Sequence, residues 1–332
     1  MQKIRFGVLG CSRIAESSVI PAIIESNYSE LKILGSRSKQ KAEIFAKKFS
    51  CSNFGSYQDV IDSDVDVVYI SLPIGLHEEW SIKAAKAGKH VLCEKSSTTS
   101  FESAQNMIDA CKQNNVRIME GLMFRFHPQH QKVLELLNNA RLGKIFSFHG
   151  CYGLPLIPYD DIRHNKELGG GVLNDAACYP ICASRIVFGT EPISINCNMD
   201  IDKKSQVDTK ASICMKYDQN RFASILVGYD LLYQSTYSIW GNAGVLKLNR
   251  SYNIPSNMNA TMTLSTNKIE DIVIPAHNHY LLMVDSFCKE IGGNTICNFN
   301  LEDDLLKQSM VMTAARLSHK EERVVSISEI AN

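Results

Sequence analysis

The apolar run Ile4-Arg5-Phe6-Gly7-Val8-Leu9 ends at Gly10, and Cys11-Ser12-Arg13-Ile14-Ala15 leads on into a helical pattern. A glycine between a buried strand and a helix permits a tight turn, and it aims the amide donors and positive dipole of the helix N-terminus at an anion. The segment follows the Gly-x-Gly-x-x-Gly/Ala fingerprint of dinucleotide-binding β-α-β units. Gly10 opens the turn, Ala15 is small enough for the helix to pack on the strand, and Ser12 stands in for the second glycine. Gly10, Cys11, Ser12, Arg13 and Ile14 are therefore the expected pyrophosphate loop. Taken alone, such a turn also suits a purely structural role, so its surroundings decide.

Those surroundings alternate. Residues 31–34, 65–70, 90–93 and 116–119 read as strands, and residues 12–26, 39–49, 76–87 and 101–114 as helices between them. Short strands separated by helices require right-handed crossovers and a parallel sheet. Past residue 123 the texture changes. A helix is expected over 128–139, a strand over 144–152, an irregular stretch containing Pro155 and Pro158, and a helix from Gly169-Gly170-Gly171 to near Gly189. Several β-like runs between 193 and 274 have short connections and predict an antiparallel sheet; helices near 280–290 and 301–318 follow. The expected fold class is α/β. A dinucleotide-binding domain covers 1–122 and a second α/β domain, with an open, mostly antiparallel sheet, covers 123–332; the closing helices have the option of packing back on the first domain.

A chain of 332 residues suits two domains. Lysine plus arginine equals aspartate plus glutamate at 35 each, so the basic excess of a phosphate-binding nucleic-acid partner is missing and none is expected. The 11 cysteines are odd in number and scattered, with neither a disulfide framework nor paired metal-ligand spacing, which points to reduced thiols, no metal and a cytoplasmic setting. The chain starts directly on a strand pattern, without the pattern of a signal peptide, and no apolar stretch approaches the ~20 residues of a membrane helix.

At the end of the second strand stands Leu34-Gly35-Ser36-Arg37-Ser38-Lys39. An NAD site normally offers a carboxylate here to the ribose hydroxyls. A carboxylate would repel a 2′-phosphate, whereas Ser36, Arg37 and the nearby Lys41 would bind one. We favour NADP(H); the alternative is a solvated helix start with incidental bases.

Four further segments occur in order: Ser71-Leu72-Pro73-Ile74-Gly75-Leu76-His77, Gly88-Lys89-His90-Val91-Leu92-Cys93-Glu94-Lys95, Glu120-Gly121-Leu122-Met123-Phe124-Arg125-Phe126-His127-Pro128, and Glu167-Leu168-Gly169-Gly170-Gly171-Val172-Leu173-Asn174-Asp175. With this spacing, nearly the whole chain resembles the Gfo/Idh/MocA oxidoreductases. The resemblance implies a Rossmann domain that binds NAD(P), a second domain with an open sheet, and a sugar or polyol substrate between them. It assigns the family lysine to Lys95, although the proline that follows it in the family is Ser96 here, and the family aspartate to Asp175. It also places Leu72, Pro73, His77 and Glu94 on the cofactor side, and Arg125 and His127 on the substrate side. Where many members carry a catalytic histidine this chain has Tyr179, as in the branch that reduces the 3-keto group of nucleotide-linked deoxysugars.

Asp175 and Tyr179, spaced i and i+4 on an expected helix, share a face. Reduction of a ketone needs a proton donor, and tyrosine becomes one when a cation such as Lys95 stabilises its phenolate. Asp175 then fixes the lysine, binds a sugar hydroxyl or merely holds the glycine turn. Tyr179 has the alternative of being a packed aromatic. Arg163 and His164 lie on a loop expected to reach the substrate, or to face solvent. Three functions follow: reduction of a nucleotide-linked ketosugar, oxidation of a free sugar, cyclitol or dihydrodiol, and, from another class, a non-catalytic dinucleotide sensor. The resemblance, together with a sheet face that would need cover, also implies a homo-oligomer, a dimer or tetramer.

Overall fold

A computed structural model describes residues 2–294 and 297–331. The chain divides into two compact units, Met1–Met123 with Tyr280–Leu306, and Phe124–His279 with Lys307–Asn332.

In the first unit β1 (Ile4–Leu9), β2 (Ser29–Gly35), β3 (Asn53–Gly55), β4 (Val67–Ile70), β5 (His90–Cys93) and β6 (Ile118–Glu120) form one sheet in the order β3-β2-β1-β4-β5-β6. Every pair is parallel. The inner strands are buried on both faces, so they read as continuous apolar runs such as Val67–Ile70. The order reverses between β1 and β4, which is where such sheets open a crevice beyond their carboxyl ends. Register lines those ends up: Gly35 pairs with Leu9, Leu9 with Ile70, Ile70 with Cys93, and Cys93 with Glu120.

Tyr280–Leu306 belongs with the first unit, the option left open above for the closing helices. Burial explains why. Met283, Val284 and Phe287 are wholly buried, Ser26 Oγ donates to Asp285 Oδ1 at 2.5 Å, and Arg117 grips the Glu302 carboxylate at 2.7 and 3.1 Å. Leu305 joins the apolar core of the parallel sheet.

The second unit holds β7 (Ile145–Gly153), β8 (Ser194–Ile201), β9 (Asp208–Lys216), β10 (Phe222–Gly228), β11 (Gln234–Gly241), β12 (Val245–Leu248), β13 (Ala260–Ser265), β14 (Ile269–Ile274) and β15 (Val325–Ser326). Their order is β14-β13-β12-β11-β7-β10-β9-β8-β15. Every pair is antiparallel except β7 with β10. The exception has a cause: the chain makes a long excursion through a helix and two strands between β7 and β10, and a parallel pair needs such a crossover. Strands alternate in burial, so one face packs inward while the other carries exposed Phe146, Phe222 and Trp240. Among the described residues no helix is long and apolar enough to cross a membrane, and no cluster of His, Cys, Asp or Glu is arranged to hold a metal ion.

Candidate active site

Gly10 sits immediately beyond β1 with φ +101°. A Cβ there would fall 2.8 Å from Ser71 O, so only glycine fits. Its N–H donates to Gly35 O at 2.9 Å, and Ser71 Oγ donates to Gly10 O at 3.0 Å. Ser12 Oγ accepts from the Ala15 N–H at 3.1 Å and so caps the helix that follows. That helix opens with a π-helical turn, Ala15–Val19, rather than the α-helical turn the spacing predicts. Pro21 has no N–H to give to the carbonyl four residues back, which favours the wider turn. Cys11 is buried, with its Sγ 3.9 Å from Lys41 O, and burial pushes its thiol pKa up. Arg13 is exposed and Ile14 half-buried. At the end of β2, buried Ser36 accepts from the Ser38 N–H at 3.3 Å. Arg37 and Lys41 beside it are exposed cations. These residues fit a dinucleotide: the glycine leaves room that a Cβ would fill, and the rim of β2 offers a hydroxyl and bases with no carboxylate.

His77 opens the His77–Lys86 helix behind the Leu72-Pro73 loop. It is completely buried, with Nε2 2.8 Å from Leu72 O and Nδ1 3.1 Å from Ser96 O and 3.3 Å from Ser97 O. Burial lowers its pKa. Its ring ties the Leu72-Pro73 loop to the turn after β5. Glu94 is buried too and accepts from Tyr69 Oη at 2.7 Å. Burial raises the pKa of this carboxyl, against the pull of Tyr69 and Lys95. Lys95 follows, half-buried, with a cis peptide bond to Ser96. Ser97 N–H donates to Glu120 Oε1 at 2.7 Å and anchors the turn to the end of β6.

In the second unit Gly171 has φ +112°, and a Cβ on it would meet Asp208 Oδ1 at 2.2 Å. Asp208 Oδ2 accepts from the Leu173 N–H at 2.5 Å. Burial raises the Asp208 pKa, opposed by the Leu173 hydrogen bond and the charge of Arg316. The following turn, Leu173–Ala177, is again π-helical and precedes the Cys178–Phe188 helix, whose Pro180 likewise lacks a donor. Asp175 therefore stands on a π turn rather than on the α-helix expected to align it with Tyr179. Its Oδ2 is held by Arg163 Nε at 2.7 Å and by Tyr229 Oη at 3.4 Å. Tyr179 is 5% exposed and packs against Phe124, Tyr152 and Tyr252 with ring centroids 5.9, 5.4 and 5.8 Å away.

The expected substrate residues part company. Arg163 is committed to Asp175 and Asp161. His164 stacks on Tyr159 with centroids 4.8 Å apart, its Nε2 3.1 Å from Ile157 O. His127 is fully buried at the start of the Pro128–Asn138 helix, where its Nδ1 accepts from the Gln129 N–H at 3.2 Å; burial and the neighbouring His277 push its pKa down to about 4. Arg125 remains half-buried. Sequence reasoning missed Ser71, Tyr69, Glu120, Asp208 and Tyr229, which hold the site together through tertiary contacts that no local pattern announces.

Comparison with known proteins agrees. Residues 4–122 match a model described as oxidoreductase family, NAD-binding Rossmann fold, and residues 130–247 match the GFO/IDH/MocA C-terminal domain. The dTDP-3,4-didehydro-2,6-dideoxy-alpha-D-glucose 3-reductase of Saccharopolyspora spinosa is 32% identical over 88% of this chain and 89% of its own. The D-xylose 1-dehydrogenase (NADP(+)) 2 of Haloferax volcanii is 31% identical over 86% and 88%. The crystal structure of a 3-ketoreductase from Actinomadura kijaniata in complex with NADP and TDP-benzene superposes with a TM-score of 0.92 at 29% identity, covering 96% of this chain and 98% of that one. The glycine turn on a β3-β2-β1-β4-β5-β6 sheet, the Glu94-Lys95 strand end and the triple-glycine turn thus belong together: this chain is a member of the Gfo/Idh/MocA oxidoreductase family.

Proposed function

We propose that this chain is an NADP(H)-dependent oxidoreductase that reduces the ketone of a nucleotide-linked ketosugar. The observation that carries the cofactor choice is the rim of β2, where Ser36 and Arg37 stand in place of a carboxylate. The substrate class is supported by the 3-reductase and 3-ketoreductase relatives. Gly10 to Ile14 would hold the pyrophosphate, and Ser36, Arg37 and Lys41 would hold the 2′-phosphate. When bound, the nicotinamide supplies hydride to a ketone or takes it from an alcohol. Tyr179 gives its phenolic proton to the ketone oxygen. Lys95 stabilises the charge that develops on that oxygen and on the phenolate. The neighbouring aromatic rings keep water away from Tyr179 and fix its ring, which leaves it both packed and reactive.

Oxidation of a free sugar uses the same groups in reverse, and the xylose dehydrogenase relative favours keeping it as the second reading. The exposed Phe146–Phe222 and Phe146–Trp240 contacts on the outer sheet face, at 5.9 and 5.7 Å, support a homo-oligomer built through that face. The free thiols, most of them buried, suit a cytoplasmic enzyme.

Lys95→Ala is expected to lower kcat by roughly 1,000-fold on a dTDP-linked 3-ketosugar with NADPH, while the NADPH dissociation constant stays within about three-fold. Wild-type turnover in that variant sinks the mechanism.

A further inference from the structure

Arg163 is fixed at both ends. Its own N–H donates to Asp161 Oδ1 at 3.1 Å, and its carbonyl accepts from the Gly171 N–H at 2.9 Å. Its guanidinium bridges two half-buried carboxylates, Asp161 Oδ2 at 3.3 Å and Asp175 Oδ2 at 2.7 Å, whose side chains are 12% and 17% exposed. Burial alone would lower the Arg163 pKa, but the charges of Asp175 and Asp161 outweigh it and raise it. On the other side of Asp175 stands Tyr229, 3% exposed. Burial and the Asp175 charge keep that phenol protonated, so it remains a donor. One carboxylate oxygen thus receives a guanidinium and a hydroxyl from two different segments, the loop after β7 and the end of β10.

A loop staple alone would need only the backbone bond to Gly171 and the pairing within the loop. The Arg163–Asp175 bond does more. It spends the guanidinium on a side chain of the π turn that leads to Tyr179. We propose that Arg163 is a positioning residue for hydride transfer: it sets the orientation of the Asp175 carboxylate, and through it the geometry around Tyr179. This rests on the reading of Tyr179 as the proton donor given above.

The test compares Arg163→Met, Arg163→Lys, Asp175→Asn and the Arg163→Met/Asp175→Asn double variant, assayed with NADPH and a dTDP-linked 3-ketosugar across pH, alongside thermal melting. Arg163→Met is expected to lower kcat roughly 10- to 100-fold, as a small misplacement of reacting groups does, with the acid limb of kcat/KM moved to higher pH and NADPH affinity unchanged. Arg163→Lys restores much of the rate because it keeps the charge. The double variant is no slower than Asp175→Asn, because Arg163 acts through Asp175. Wild-type kcat and an unmoved acid limb in Arg163→Met overturn the proposal, whatever the melting temperature does; so does a double variant whose losses multiply. If the wild-type protein itself turns over no sugar carbonyl, the functional reading fails and takes this inference with it; if it does and only Arg163→Met is silent, the inference fails alone.

Discussion

The two glycine turns, one after β1 and one before the Cys178–Phe188 helix, share a construction and differ in charge. Each has a glycine at positive φ, at Gly10 and Gly171, and each feeds a π-helical turn followed by a proline-bearing helix. The first turn is trimmed with neutral hydroxyls from Ser12 and Ser71. The second is surrounded by Asp208, Asp175, Arg163 and Arg316. There the chain supplies its own anion, since the Asp208 carboxylate takes the Leu173 N–H at 2.5 Å. A turn whose partners are neutral hydroxyls leaves a negative charge to be supplied by a ligand; the second turn already carries its own carboxylate.

Substitutions can break this contrast. The largest effect is expected from Gly10→Val. A β-branched residue at φ +101°, with its Cβ on Ser71 O, forces the turn open and weakens NADPH binding by about 1,000-fold in a fluorescence titration, or ~4 kcal/mol. An unchanged affinity would mean the turn does not approach the cofactor. Asp208→Ala comes next. It strips the Leu173 N–H of its acceptor and removes the Asp208 charge that faces the half-buried Arg316. We expect a loss of about 3 kcal/mol in urea unfolding, with NADPH affinity intact in the protein that remains folded. A loss of cofactor binding alone would merge the two turns into one function. The smallest effect belongs to Ser12→Gly, which completes the fingerprint but removes the Ala15 cap. Stability should fall by a few tenths of a kcal/mol, about what a glycine cap costs, and affinity should change by less than about three-fold. A ten-fold gain in affinity would show that the serine Cβ obstructs the phosphates.

The same contrast explains what was legible in the sequence. The parallel sheet announces itself because strands buried on both faces are unbroken apolar runs, as at Val67–Ile70. Gly10 was readable because its turn has a positional grammar. The short β3 and the Tyr57–Asp62 helix escaped notice, although the Ser56–Asp59 capping box was a usable signal. The π turns were missed because helical periodicity is blind to one inserted residue; Pro21 and Pro180 were the available hints. Polar pairs distant in sequence carry no local pattern. Tyr229 reaches Asp175 across 54 residues of sequence, and the assignment of Tyr280–Leu306 to the first unit depends on burial rather than composition. The bonds of His77 and His127 to backbone groups were equally silent in the sequence.

The central claim is an NADP(H) enzyme whose specificity is set at the end of β2. Its most direct test is a fluorescence titration of the wild-type protein with NADPH and with NADH under the same conditions. Ser36, Arg37 and Lys41 predict at least a ten-fold preference for NADPH, roughly 1.4 kcal/mol, that disappears in Arg37→Ala. Equal affinities, or a preference for NADH, would contradict it.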